Sequence, residues 1–291
     1  AKTSYSMFLL NAIQQKFQAK DDIAYVFFNV KGRDLLAIDE PNTELKDEDK
    51  ALYEELGLEP KPFKNVKYYY PYYGHKGVLT NADPKDVDRQ RRKNKAFTYK
   101  FPLESSFDKL DLLLANEDDA TGTMESCVNY IINQQGDFYG VNTWDTLKDV
   151  IKQYANAKAS GEQNEILPAS WKKFLRIINK VIDPQGIFND NIADTETDLS
   201  LEIKNNLVGG QVMVVDMTLL DDLAQSFVFG SVAKAVWEMK FDTERDNVPK
   251  KVIIFVDELN KYASNDTPKN SPILHQLLDI TERGRSLGII L

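Results

Sequence analysis

The chain has 291 residues, 42% apolar and 28% charged, with a formal net charge of −9. That balance fits a soluble globular protein of one large or two smaller domains, and it excludes a surface that is basic all over. The longest apolar runs, MFLL and VIIFV, fall short of the roughly 20 residues a membrane helix needs, and no secretory leader is visible, so the expectation is a cytoplasmic protein.

After AKTS, apolar residues at Tyr5, Phe8, Leu9, Ile13 and Phe17 recur at helical spacing. The next run, IAYVFFNV, is continuous, β-branched and aromatic, and closes at Lys31-Gly32. It reads as a strand buried on both faces, as in a parallel sheet. Residues 39–66 are rich in Asp, Glu, Lys and Pro and read as a solvated loop with one short helix near Ala51 to Leu56. VKYYYPYYGHKG and KAFTYKFPLE are candidate strands. From Asp108 to about Asn205 the patterns are mostly helical, with Trp144, Trp171 and Phe174 suited to a small core of their own. The single Cys127 has no partner for an internal disulfide or a zinc site, which fits a reducing compartment.

The last third repeats one rhythm: strand QVMVVDM, helix LAQSFVFGSVAKAVWEMKF, strand KVIIFVDE, helix SPILHQLLDITERGR, strand LGIIL. Such alternation predicts βαβ units and a parallel three-layer α/β sheet. Ser271-Pro272 predicts a helix start, with the Ser hydroxyl as cap and proline at the first helical position. The first residue is Ala and the last residues stop inside an apolar run, so the chain reads as a piece of a longer polypeptide.

Asp257 and Glu258 end the apolar run VIIFV. Ligands of parallel sheets bind at the carboxyl ends of the strands, where one acid can hold hydrated Mg²⁺ and its neighbour can deprotonate water. Plain strand-to-loop junctions also carry Asp-Glu, and the pair alone leaves both readings open. Lys2-Thr3 before a helix matches the tail of a phosphate-binding loop, G-x-x-x-x-G-K-[ST], although Ala1 stands where the last glycine is usual. Arg285, 27 residues after Glu258, lies between a helix and the next strand and is expected near the same sheet edge, where it could neutralise a transferred phosphoryl group. A solvated cation at a helix C-terminus is the alternative for Arg285 and for Arg283.

Together AKTSYSMFLL, FFNVKGRDLL, VMVVDMTLL, VIIFVDELNKYAS and LLDITERGRSLGIIL resemble the ATPase domain of HerA/FtsK-type hexameric DNA translocases, nearest to HerA, over the two ends of the chain. The resemblance implies a RecA-like P-loop core at 1–38 and 206–291, a loop and strand insertion at 39–107 and a helical insertion at 108–205. It implies ATP and Mg²⁺ as cofactors. Ala1, Lys2, Thr3 and Ser4 become the nucleotide-binding stretch, with Lys2 on phosphate and Thr3 on Mg²⁺. Asp257 becomes the metal partner, Glu258 the water-activating base and Arg285 a γ-phosphate sensor. The implied partners are further copies in a homo-hexameric ring, double-stranded DNA, and a NurA-like nuclease or an anti-phage effector. An ATP-binding scaffold that assembles an effector without translocation is the alternative, and a P-loop motor for conjugation or secretion a third.

Tyr-rich YYYPYYGHKG and basic DRQRRKNKAF invite a nucleic-acid reading through Arg89, Arg91, Arg92 and Lys93. Packing tyrosines and a solvated basic face are the stronger account. His75 and His275 are isolated, and NEDDAT lacks calcium-loop spacing.

Overall fold

Seven strands form one sheet in the order β4-β3-β2-β5-β1-β6-β7, and every registered pair of neighbours is parallel. The computed structural model describes residues 2–17, 22–115, 119, 121–157, 166–262 and 271–291. In chain order the elements are α1 (Lys2–Lys16), β1 (Ile23–Asn29), α2 (Asp47–Glu55), β2 (Val66–Pro71), α3 (Pro84–Arg92), β3 (Ala96–Lys100) and α4 (Leu103–Ser106). They continue with α5 (Thr123–Ile132), α6 (Trp144–Asn156), α7 (Pro168–Ile182), β4 (Glu196–Asp198), α8 (Leu199–Asn206), β5 (Val212–Asp216), α9 (Asp222–Met239), β6 (Lys251–Val256), α10 (Pro272–Leu287) and β7 (Ile289–Ile290). Short 3₁₀ segments fill several of the connections.

The continuous apolar runs are explained by two covered faces. Side chains alternate along a strand, so Ala24, Val26 and Phe28 of β1 enter one core while Ile23, Tyr25 and Phe27 enter the other. Strand β5 divides in the same way, with Met213 and Val215 opposite Val212 and Val214. So do the tyrosines of β2: Tyr69 faces the first core, Tyr68 and Tyr70 the second, and all three are fully buried. Helices α5 to α10 cover the first face, while α1, α3 and the turn holding Leu35 and Leu36 cover the second.

Several expectations are corrected here. Strands β2 and β3, which lie within the segment 39–107 read as a loop and strand insertion, pair into the same sheet, β2 directly with β5. Trp144, Trp171 and Phe174 share one continuous core with Val26 and Phe28, so the helical segment does not bury a separate centre. Helix α1 buries Leu10 against the sheet, with Met7 and Ile13 partly buried beside it, and leaves Tyr5 and Leu9 exposed, as is Phe17 just after the helix. Its apolar residues run most of the way round, and spacing alone could not choose the face. Ser271 does precede a helix with proline in its first turn, but its hydroxyl donates to the Ala115 carbonyl at 2.9 Å instead of capping. The three-residue β4 and the basic helix α3 carry too little apolar pattern to be seen in sequence.

Candidate functional site

Helix α1 begins at the carboxyl edge of the sheet, because the chain reaches the amino edge before entering β1. Its first turn therefore stands beside the loop that follows β6. Thr3 Oγ1 donates a hydrogen bond of 2.7 Å to Asp257 Oδ2 across 254 residues of sequence. Asp257 is carried there by β6, whose Val256 is level with Phe28 of β1.

The chain turns sharply at the next residue. Glu258 has φ 65° and ψ 46°, a left-handed conformation uncommon for a residue with a side chain, and it starts the 3₁₀ turn Leu259–Lys261. Such backbone costs on the order of 1–3 kcal/mol and persists only where the surroundings enforce it. Tyr262 supplies that anchor: it is buried and stacks on Phe229 of α9 with ring centroids 4.7 Å apart. Burial raises the Tyr262 phenol, as do the Asp222 and Glu258 charges. The turn aims the Glu258 carboxylate at the loop after β1, where Lys31 Nζ lies 3.3 Å from Oε1. Thr3, Lys31, Asp34, Asp257, Glu258, Leu259 and Asn260 line an open cleft of about 580 Å³.

The loop that carries Lys31 is joined to a buried polar node. Asp216, at the end of β5, is fully buried. Its carboxylate accepts from Asn29 Nδ2 at 2.9 Å, Thr218 Oγ1 at 2.7 Å and Thr80 Oγ1 at 2.5 Å. Burial raises its pKa, and these three donors oppose the rise. The same Asn29 amide donates to the Gly32 carbonyl at 3.2 Å, so the node reaches the loop carrying Lys31.

The sequence-derived residues fare unequally. Thr3, Asp257 and Glu258 are brought to one cleft. Ser4 is exposed in the first turn of α1. Ala1 and the side chain of Lys2 lie outside the described residues. Arg285 does not join them within one chain. It lies in the last turn of α10, and the chain then enters β7 with Ile289 level with Val252, five positions before Asp257. At ~3.3 Å per residue that span is roughly 16 Å of strand, and Arg285 lies further back still. The expectation of a shared edge is corrected by crossover geometry: a helix that follows a parallel strand must return to the amino edge before the next strand begins. Arg283 pairs with Asp279 on the same helix at 2.9 Å.

Lys31, Asp34, Asn29 and Asp216 were missed as site residues. The available signal was position: Lys31 follows a buried strand by two residues, as Asp257 and Glu258 follow theirs by one and two. In α3, Arg89 is paired with Asp86 and Glu40, and Lys93 with Glu40, which suits a solvated structural face.

Thr3 and Asp257 offer a hydroxyl and a carboxylate, the hard oxygen donors that suit Mg²⁺. A hydroxyl donating its proton to the acid keeps its lone pairs for a cation. Mg²⁺ is generally held by one or two carboxylates plus substrate phosphates and water, so two protein oxygens are a sufficient set. No cluster of three or more acidic, His or Cys ligands occurs among the described residues. No helix among them is long and apolar enough to cross a membrane.

No family model matches the chain, and no curated protein matches it. Among solved structures it is similar to the plasmid coupling protein TrwB in complex with the ATP analogue ADPNP, at 12% identity and a TM-score of 0.41. It is likewise similar to TrwB in complex with ADP and Mg²⁺, at 12% identity and a TM-score of 0.39. A trigonal form of this bacterial conjugative coupling protein, with sulphate, matches at 12% identity and 0.38. Each alignment covers 94% of this chain, which spans only 63% of the coupling-protein chain.

Proposed function

We propose that the chain is the core of a Mg²⁺-dependent P-loop ATPase, and that the cleft at Thr3, Asp257 and Glu258 is its hydrolytic site. The observation that carries this reading is the 2.7 Å hydrogen bond from Thr3 to Asp257. It joins the two sequence fragments whose chemistry is complementary, a phosphate-loop tail and a strand-end acid pair. The start of α1 adds backbone N–H donors and the positive end of a helix dipole, which favour phosphate.

In this reading Thr3 and Asp257 hold Mg²⁺, which when bound neutralises the nucleotide phosphates. Lys2, just before Thr3, contacts phosphate, and Ser4 extends the binding turn. Glu258 takes a proton from water as its oxygen bonds to the γ-phosphorus, while the bond to the β,γ-bridging oxygen breaks and ADP leaves. Arg285, on the opposite edge, would reach a site only from a neighbouring copy. The finer proposal follows the HerA-like sequence features: a cytoplasmic homo-hexameric ring that moves double-stranded DNA with a nuclease or anti-phage effector.

Steady-state phosphate release by the purified chain tests the core of the proposal. Glu258→Gln should bind ATP and fail to hydrolyse it. DNA-stimulated turnover would support the motor, whereas nucleotide-driven assembly without turnover would support a scaffold.

A further inference from the structure

We propose that Lys31 belongs to the hydrolytic machinery as the cation that neutralises charge developing on the transferred phosphoryl group, and that Asn29, held by Asp216, positions it. The inference rests on the ATPase reading of the cleft. Among the described residues lining that cleft, Lys31 is the one cation. Its ammonium lies 3.3 Å from the Glu258 carboxylate, so a charge held at Glu258 is within its reach. Arg285, the cation expected from sequence, is on the far edge of the sheet.

Stability does not account for this arrangement. Side-chain exposures of 77% for Lys31 and 47% for Glu258 make the pair a surface ion pair, worth under about 1 kcal/mol. Yet the loop beneath it is tied to a fully buried carboxylate. Burying an acid is costly unless its oxygens are hydrogen-bonded, and here Asn29, Thr80 and Thr218 satisfy it. The Asn29 amide nitrogen is shared among Asp216 at 2.9 Å, Thr218 Oγ1 at 2.8 Å and the Gly32 carbonyl at 3.2 Å, directly after Lys31, and Thr218 Oγ1 lies 3.3 Å from the same carbonyl. The node thus fixes the backbone from which Lys31 projects. A long, hydrated side chain gains catalytic value when its base is held in place, because less orientation must be found at reaction.

The test compares Lys31→Ala, Lys31→Arg, Asn29→Ala and the Lys31→Ala/Asn29→Ala double variant. ATP turnover is measured beside affinity for a fluorescent ATP analogue and amide exchange of the nucleotide-free protein. Lys31→Ala should lower kcat about a hundredfold with affinity changed less than about threefold, the scale of losing one donor to a developing charge. Lys31→Arg should recover all but about tenfold. Asn29→Ala should lower kcat about tenfold and speed exchange of the 31–34 amides about tenfold while β1 stays protected. The double variant should be no slower than Lys31→Ala alone, because the two act through one group. Unchanged or faster turnover in Lys31→Ala, where wild type is active and Glu258→Gln is dead, overturns the role of Lys31. Multiplying losses in the double variant, or unaltered exchange in Asn29→Ala, overturn the positioning role. A wild-type chain that does not hydrolyse ATP overturns the ATPase reading instead.

Discussion

Thr3 and Asp257 are separated by 254 residues and joined by a 2.7 Å hydrogen bond between hydroxyl and carboxylate. The contact ties the first turn of α1 to the end of β6, and no local sequence signal encodes it. It depends on α1 and β6 meeting at the same sheet edge, which the parallel order β1 beside β6 ensures.

Removal of the Thr3 hydroxyl should therefore separate binding from folding. Thr3→Ala loses one partly buried hydrogen bond, worth about 1 kcal/mol, so the melting temperature should move by only a few degrees. Mg²⁺-dependent nucleotide affinity should fall by tenfold or more. Isothermal titration with and without Mg²⁺ checks this; a Mg²⁺ response equal to wild type contradicts it.

Asp216 predicts a pH signature. Burial raises its folded pKa above the unfolded value. Its contribution to stability is then fully present below the unfolded pKa and is lost as pH rises through the folded one. Thermal melts of wild type and Asp216→Asn from pH 4 to 7 should show the variant gaining relative to wild type as pH rises. Parallel curves would contradict the raised pKa.

Cys127 serves as a probe of global opening. Burial, with a smaller push from Asp119, raises its thiol to about 12. At pH 8 the thiolate population, and with it the reaction with a chromogenic disulfide, should be suppressed on the order of a thousandfold in the folded chain. Urea should release that reactivity together with the loss of helical circular dichroism. Prompt reaction of the native protein would show Cys127 to be accessible.

Gly288 holds the turn that sends the chain from α10 into β7. Its φ is +75°, and an added Cβ would lie 2.2 Å from the Lys250 carbonyl. Gly288→Ala should destabilise the protein by about 2 kcal/mol or more through strain at positive φ and a backbone clash. Urea denaturation measures the loss, and a change below about 0.5 kcal/mol would contradict the tight approach.

Much of the fold was readable because β1, β5 and β6 are short, continuously apolar runs, a composition that only two-sided burial explains. The acid pair was readable because charge at the end of such a run is conspicuous. The two cores hidden in YYY were less so: period-two alternation distributes identical tyrosines to opposite faces without changing the letters. The edge occupied by Arg285 required the crossover geometry, which sequence distance from Glu258 does not carry. Asn29 and Asp216 look like ordinary strand ends until the fold pairs them across 187 residues and brings in Thr80 from 136 residues away, beside their chain neighbours Gly32 and Thr218.

The central claim, that this cleft hydrolyses ATP, is tested most directly by phosphate release from wild type and Glu258→Gln beside their affinity for ATP. The account predicts Mg²⁺-dependent turnover in wild type, a loss of at least about a hundredfold in the variant, and ATP binding retained within about threefold. Equal turnover in the two proteins would contradict it.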